Sequence, residues 1–177
     1  MHIPINNPRI KQKSIVNLRT MKIKVICIGK TGKPFLEKGE KEYLNRLSHY
    51  AKVEKIEIPD LKDTKKLTID QIKSAESKLL LSKIDKASPI ILLDENGDQY
   101  SSVKFSNFLQ KKMNQGGKSI NFIIGGAYGF SEELYQLANA KISLSKMTFS
   151  HQMIRMIFFE QLYRSFTILK GEPYHHE

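Results

Sequence analysis

Three observations predict an α/β protein with a mainly parallel sheet. Short β-rich apolar runs alternate with amphipathic stretches from residue 22 to the C-terminus. One of the runs, PIILL at 89–93, is wholly apolar, as a strand buried on both faces requires. Turn-forming clusters such as DENGD at 94–98 and GGAYG at 125–129 punctuate the pattern.

The elements follow in order. Residues 22–28 (KIKVICI) form a strand, GKTGK at 29–33 a loop, and residues 35–49 an amphipathic helix. Residues 53–58 alternate and stop at Pro59, and a lysine-rich loop leads to a second helix opened by the capping pattern from Thr68 to Gln71. The strand at 89–93 is closed by DENGD, read as a turn, before a third helix over 103–114. Gly116 and Gly117 break the chain ahead of the strand INFII, which runs into GGAYG. Ser131 caps a short helix whose first turn carries Glu132 and Glu133, where acids oppose the positive end of the helix dipole. A last strand spans 140–145, and Ser150 is placed to cap a final helix over 151–169. In that helix Met153, Ile154, Met156, Ile157, Phe158 and Phe159 leave no wholly polar face, so it needs cover on two sides. The sheet supplies one side, and a second copy across a two-fold axis supplies the other most simply; burial within a monomer is the competing expectation.

With 177 residues, 40% of them hydrophobic, the chain has one sizeable core and no room for two ordinary domains. No apolar run approaches the ~20 residues that span a bilayer, so no membrane is expected as a partner. Cys27 lies inside the first strand and reads as a small buried hydrophobe in a protein of the reducing cytoplasm. The net charge of +11 suits a polyanionic partner, although the bias of 24 lysines to five arginines also has a purely compositional reading. Residues 1–20 hold four cations and no acid, lack periodicity, and read as a flexible extension ahead of a domain at 21–177, with Met21 a plausible start. Without them the net charge is +7.

In open parallel sheets, ligands sit beyond the carboxyl ends of strands. Three such places stand out: Leu93 before DENGD, Gly125 and Gly126 in GGAYG, and SKMTFS at 145–150. Glycine lets backbone approach a ligand, though GGAYG alone is equally a tight turn. GKT at 29–31 lacks the earlier glycine of a phosphate-binding loop, and G-x-G-x-x-G is absent. There are no histidines at helical spacing and no CxxC, so no metal site is expected, and His175 and His176 sit side by side near the end.

The segments FIIGGAYGFS (122–131) and ISLSKMTFSHQMIRMIFFEQLYRSFTILKGEPYHHE (142–177), with the opening strand at Met21, resemble the ribosomal RNA large-subunit methyltransferase H family of the SPOUT superfamily. The resemblance covers residues 21–177. It implies an α/β knot, in which the C-terminal part threads through a loop, and a homodimer. It implies S-adenosylmethionine as methyl donor and, as acceptor, N3 of a pseudouridine in helix 69 of 23S rRNA within the assembled ribosome. The cofactor contacts it implies are Leu93, Gly126, Ser145, Lys146, Met147, Thr148, Phe149 and Ser150. Two departures are that Ala127 and Ser150 stand where the family usually has proline, which relaxes the backbone. His176 replaces the usual basic residue before the final glutamate.

Transfer of a methyl group from a sulfonium is an in-line displacement, so the enzyme has to hold the acceptor nitrogen in place and help it lose a proton. Arg155 and Arg164 are candidates for RNA phosphate or base contacts, with an ion pair from Arg164 to Glu160 the bland alternative. Tyr174 is a candidate to stack on a base and His175 to take a proton or touch phosphate, against the view that the terminus frays. No residue is singled out as general base. The competing function is a non-catalytic basic RNA-binding or ribosome-associated protein on the same scaffold.

Overall fold

The computed structural model describes residues 22–115 and 119–176. The extension at 1–20 and the break at Gly116 and Gly117 lie outside the described residues. The elements in chain order are β1 (Lys22–Ile28), α1 (Pro34–Leu47), β2 (Lys52–Ile58), a 3-10 turn (Thr64–Lys66), α2 (Ile69–Leu81), β3 (Ile90–Gln99), α3 (Ser102–Asn114), β4 (Ser119–Ile124), α4 (Glu132–Leu137), β5 (Ala140–Ser143) and α5 (Met153–Lys170). The strands form one sheet in the order β2-β1-β4-β3-β5, and every pairing is parallel.

The period-2 geometry of β1 builds the core on both faces. Ile23, Val25 and Cys27 point to one side, where Phe105 and Leu109 of α3 and Phe158, Phe159, Leu162 and Phe166 of α5 pack. Ile26 and Ile28 point to the other side and meet Leu80 of α2 and Leu134 of α4. The result is a three-layer sandwich with α1, α3 and α5 on one face and α2 and α4 on the other. Cys27 is buried as expected, and desolvation, opposed by the charges of Arg155 and Lys55, pushes its thiol up to about 12, which leaves it a poor nucleophile.

Local chemistry accounts for the boundaries. Thr68 and Gln71 form a reciprocal capping box at the start of α2, Thr68 Oγ1 accepting from the Gln71 amide at 3.2 Å. Ser101 and Ser131 cap α3 and α4 one way only, each side chain accepting from the backbone amide three residues on. The segment DENGD differs from its expected role. It does not end the strand but loops out within it: pairing with β5 stops at Leu93 and resumes at Asp98, both opposite Ile142. Gly97 permits this, because a Cβ there would lie 2.6 Å from the Ile142 backbone. The predicted last strand at 140–145 ends at Ser143, where the Ser143 hydroxyl turns back to donate to the Ser145 carbonyl at 2.8 Å.

Candidate functional site

The looped-out segment of β3 and the loops that follow β4 and β5 enclose an open cleft of about 580 Å³ at the carboxyl edge of the sheet. Its volume lies within the ~300–1,000 Å³ of small-molecule sites. Of the residues singled out in the sequence, Leu93, Gly126, Ser145, Met147, Thr148, Phe149 and Ser150 line it, whereas Lys146 is exposed and does not.

Backbone shapes much of the lining. The GGAYG loop folds back on itself through a bridge between Gly126 and Gly129, the latter at φ +78°. A Cβ at Gly125 would lie 3.0 Å from the buried Phe130 ring, so glycine is what brings the strand end against that ring. On the opposite wall the Met147 amide donates to Ser145 Oγ at 2.9 Å, which turns the 145–150 loop. This leaves Met147 76% exposed and Phe149 38% exposed at the cleft. The Ser150 carbonyl accepts from the Ile154 amide at 3.0 Å and its hydroxyl from the Met153 amide at 3.3 Å. Ser150 thus caps the turn that leads into α5 with a side-chain bond that proline lacks.

Polar residues that sequence reasoning missed also line the cleft: Lys73, Asp94, Tyr128, Tyr135 and His151. The Tyr135 hydroxyl donates to Asp94, and burial together with that bond raises the tyrosine's affinity for its proton. Asp94 also accepts from the Asn96 amide at 2.8 Å. Asp94 and Tyr128 sit inside the loops already singled out, so the signal was present; Lys73 comes from α2, on the far face of the sheet, and had none.

The two arginines of α5 part company. Arg155 is fully buried, and its guanidinium donates to the carbonyls of Ile28 and Gly29 and, at 3.2 Å, to Thr31 Oγ1. Glu57 lies 3.8 Å away; it in turn pairs with Lys55, which also binds the buried Glu40. The expected RNA contact by Arg155 is therefore corrected: its donors are directed at backbone and it has no exposed surface. Arg164 makes its ion pair with Glu160, Nε to Oε1 at 3.0 Å, yet it also stacks over Tyr174 at 4.7 Å and lies 3.4 Å from His175 Nδ1. Tyr174 donates to Glu160 at 3.2 Å and meets Tyr163 edge-on at 4.8 Å. The tail is thus docked on α5, with Glu160 as the shared acceptor. Among the described residues none beyond Ile154 lines the cleft, so the protomer keeps the cleft and the Arg164–Tyr174–His175 cluster apart.

Among the described residues, no group of three or more His, Cys, Asp or Glu is placed to hold a metal ion, and no helix is long and apolar enough to cross a membrane.

Fold and cleft are those of an α/β protein with a ligand-sized site at its sheet edge, and the family model of a predicted SPOUT methyltransferase matches residues 21–175. Among its relatives, ribosomal RNA large subunit methyltransferase H of Christiangramia forsetii is 60% identical over 88% of this chain and 99% of its own length. The protein of the same name from Flavobacterium johnsoniae is 55% identical over 89% of this chain and its own full length. The chain belongs to this ribosomal RNA large subunit methyltransferase H family. A solved structure of a probable methylase family protein from Haemophilus influenzae shares the fold at a TM-score of 0.50 and 11% identity, covering 90% of this chain and 72% of that one.

Proposed function

We propose that this rRNA methyltransferase uses S-adenosylmethionine to methylate N3 of a pseudouridine in helix 69 of 23S rRNA, within the assembled ribosome and in the reducing cytoplasm. The observation that carries the donor assignment is the cleft itself. Its size and its glycine-shaped floor suit a flat nucleoside joined to a short chain, and apolar surface at Leu93, Met147 and Phe149 lies beside polar groups on Asp94, Tyr128 and Thr148. Leu93, Gly126 and the 145–150 loop would hold the donor, with Lys146 supplying backbone more than side chain. When bound, the donor supplies an electrophilic methyl group on a sulfonium.

The chain's own residues then have two tasks, orientation and proton removal. Arg164, Tyr174 and His175 form a preassembled cluster of a planar cation, a ring and an imidazole, suited to a phosphate and an unstacked base. Because that cluster does not line the protomer's own cleft, the reading includes a homodimer in which one copy's tail completes its partner's cleft. The half-buried Met153, Ile154, Met156 and Ile157 on α5 supply apolar surface for that interface. The α/β-knot topology belongs to the same reading.

The test is to incubate the protein and S-adenosylmethionine with ribosomes lacking the modification and map helix 69 fragments by mass spectrometry. The expected result is one added methyl on the pseudouridine. A folded protein that binds the donor but leaves helix 69 unmodified would overturn the acceptor assignment. The competing reading, a non-catalytic RNA binder, requires that the donor give no thermal protection.

A further inference from the structure

We infer that Glu76 of α2 is a positioning residue for the cofactor loop: its buried carboxylate is packed against the Gly126 backbone and so sets the floor of the cleft. The inference rests on the cleft being the S-adenosylmethionine site.

Glu76 is 8% exposed, and its Oε2 is inaccessible and without a hydrogen-bonded partner among the described residues. Its carboxylate is pressed against the glycine: a Cβ on Gly126 would lie 2.6 Å from Oε2 and 2.7 Å from Oε1. Among the described residues, no cation is ion-paired with it. Burial and the nearby charge of Asp60 both raise its proton affinity, and the Gly126 amide opposes them. A carboxylate in such a place is costly, and a leucine would fill the volume without that penalty, so packing alone does not explain the residue. A polar group set against the loop backbone at Gly126 does. The next residue acts on the other end of the same loop, where Ser77, 1% exposed, accepts from the Ser131 amide at 3.3 Å. One turn earlier Lys73 reaches the cleft itself. Positions 73, 76 and 77 share one helical face, so α2 braces the 126–131 loop at both ends and forms the cleft's back wall.

The experiment measures S-adenosylmethionine affinity by calorimetry, KM and kcat on unmodified ribosomes, and cofactor-free thermal unfolding, for wild type, E76Q, E76D and E76A. Glu76→Gln keeps an oxygen acceptor and is expected to bind the donor within about twofold of wild type. Glu76→Ala removes the support beneath Gly126 and is expected to raise Kd and the donor KM about tenfold, with kcat at saturating donor nearly unchanged. Glu76→Asp keeps charge and fold but withdraws the oxygen from Gly126, and it should weaken binding at least about threefold even if the alanine variant does not fold. Wild-type affinity in folded E76D, or a Gln variant as weak as the Asp variant, would overturn the inference while leaving the function intact. Absence of donor binding by wild type would overturn both.

Discussion

The two ends of α5 carry the same residue type and use it in opposite ways. Arg155 sits at the start, right after the 145–150 loop, and spends its donors on the carboxyl end of β1. Arg164 sits near the end, one-quarter exposed at its side chain, in a cluster of polar and aromatic groups with open surface around it. The first arginine anchors the fold and the second, in the proposed function, meets the substrate, although both read as RNA-binding candidates in the sequence. A guanidinium can satisfy three backbone and hydroxyl acceptors at once, which suits the exposed carbonyls at a strand end as well as it suits phosphate. Only burial separates the two uses.

Replacing Arg155 should produce the largest effect. Glu57 and Thr31 would lose a partner, and the carbonyls of Ile28 and Gly29 would lose a buried donor. Breaking such a set costs about 3–5 kcal/mol. R155A is therefore expected to lower the denaturation midpoint strongly, measured by urea titration, and to lose activity with the fold. Arg164→Ala should do the reverse: a stability change of at most ~1 kcal/mol, because its pair with Glu160 is partly solvated, with methyl transfer reduced roughly 100-fold. Equal destabilisation by the two would erase the contrast.

Next in size are the tail residues. Y174A and H175A are expected to cut turnover by roughly tenfold to 100-fold each while leaving donor affinity within about twofold, since neither residue lines the protomer's cleft. Mixing the impaired H175A with a variant defective only in the cleft, such as G126A, should raise activity above the sum of the two alone if the tail serves a partner's site. G126A brings its new methyl within 2.6 Å of Glu76 and should lose donor binding. No recovery in stable mixed dimers would remove the shared-site reading.

The start of α5 also predicts how the protein responds to acid. Burial alone would push Glu57 up, but hydrogen bonds from Lys55 and the Thr31 amide, with the charges of Lys55 and Arg155, hold it below the usual carboxylate range. A depressed folded-state value contributes stability above the unfolded value of about 4.5 that is lost as pH falls through the folded one. Stability should thus fall below about pH 4.5 more steeply in wild type than in Glu57→Gln, read from the melting temperature across pH 3–6. Parallel curves would mean the pair contributes nothing.

What the sequence made legible follows from how local each feature is. Strand and helix order, the capping box at Thr68 and the glycine turn at 125–129 depend on neighbours within a few residues, and all were readable. DENGD was misjudged because its return to the sheet depends on β5, more than forty residues away, packing against Gly97. The parts of the site missed in the sequence come from packing across the sheet: Lys73 and Glu76 belong to a helix on the opposite face, and no spacing in the sequence ties them to GGAYG. Arg155 was misassigned for the same reason, since its partners lie at residues 28–31.

The smallest expected effect concerns Ser150, where the resemblance implies that proline is usual. Serine contributes a cap to the Met153 amide at 3.3 Å, and losing such a cap costs about 0.5–1 kcal/mol. Ser150→Ala removes the cap and adds nothing, so its melting temperature should drop slightly. Ser150→Pro also removes the cap but restricts the unfolded chain, which returns about 0.4–1 kcal/mol where the native backbone permits the ring. The expected order of melting temperatures is then wild type close to S150P, with S150A below both. Because Ser150 also lines the cleft, donor affinity should follow a different order, highest in S150P if a stiffer loop prepays part of the ordering on binding. If S150P melts well below S150A, the backbone here is one that proline cannot adopt, and serine is required by geometry as well as tolerated by its cap.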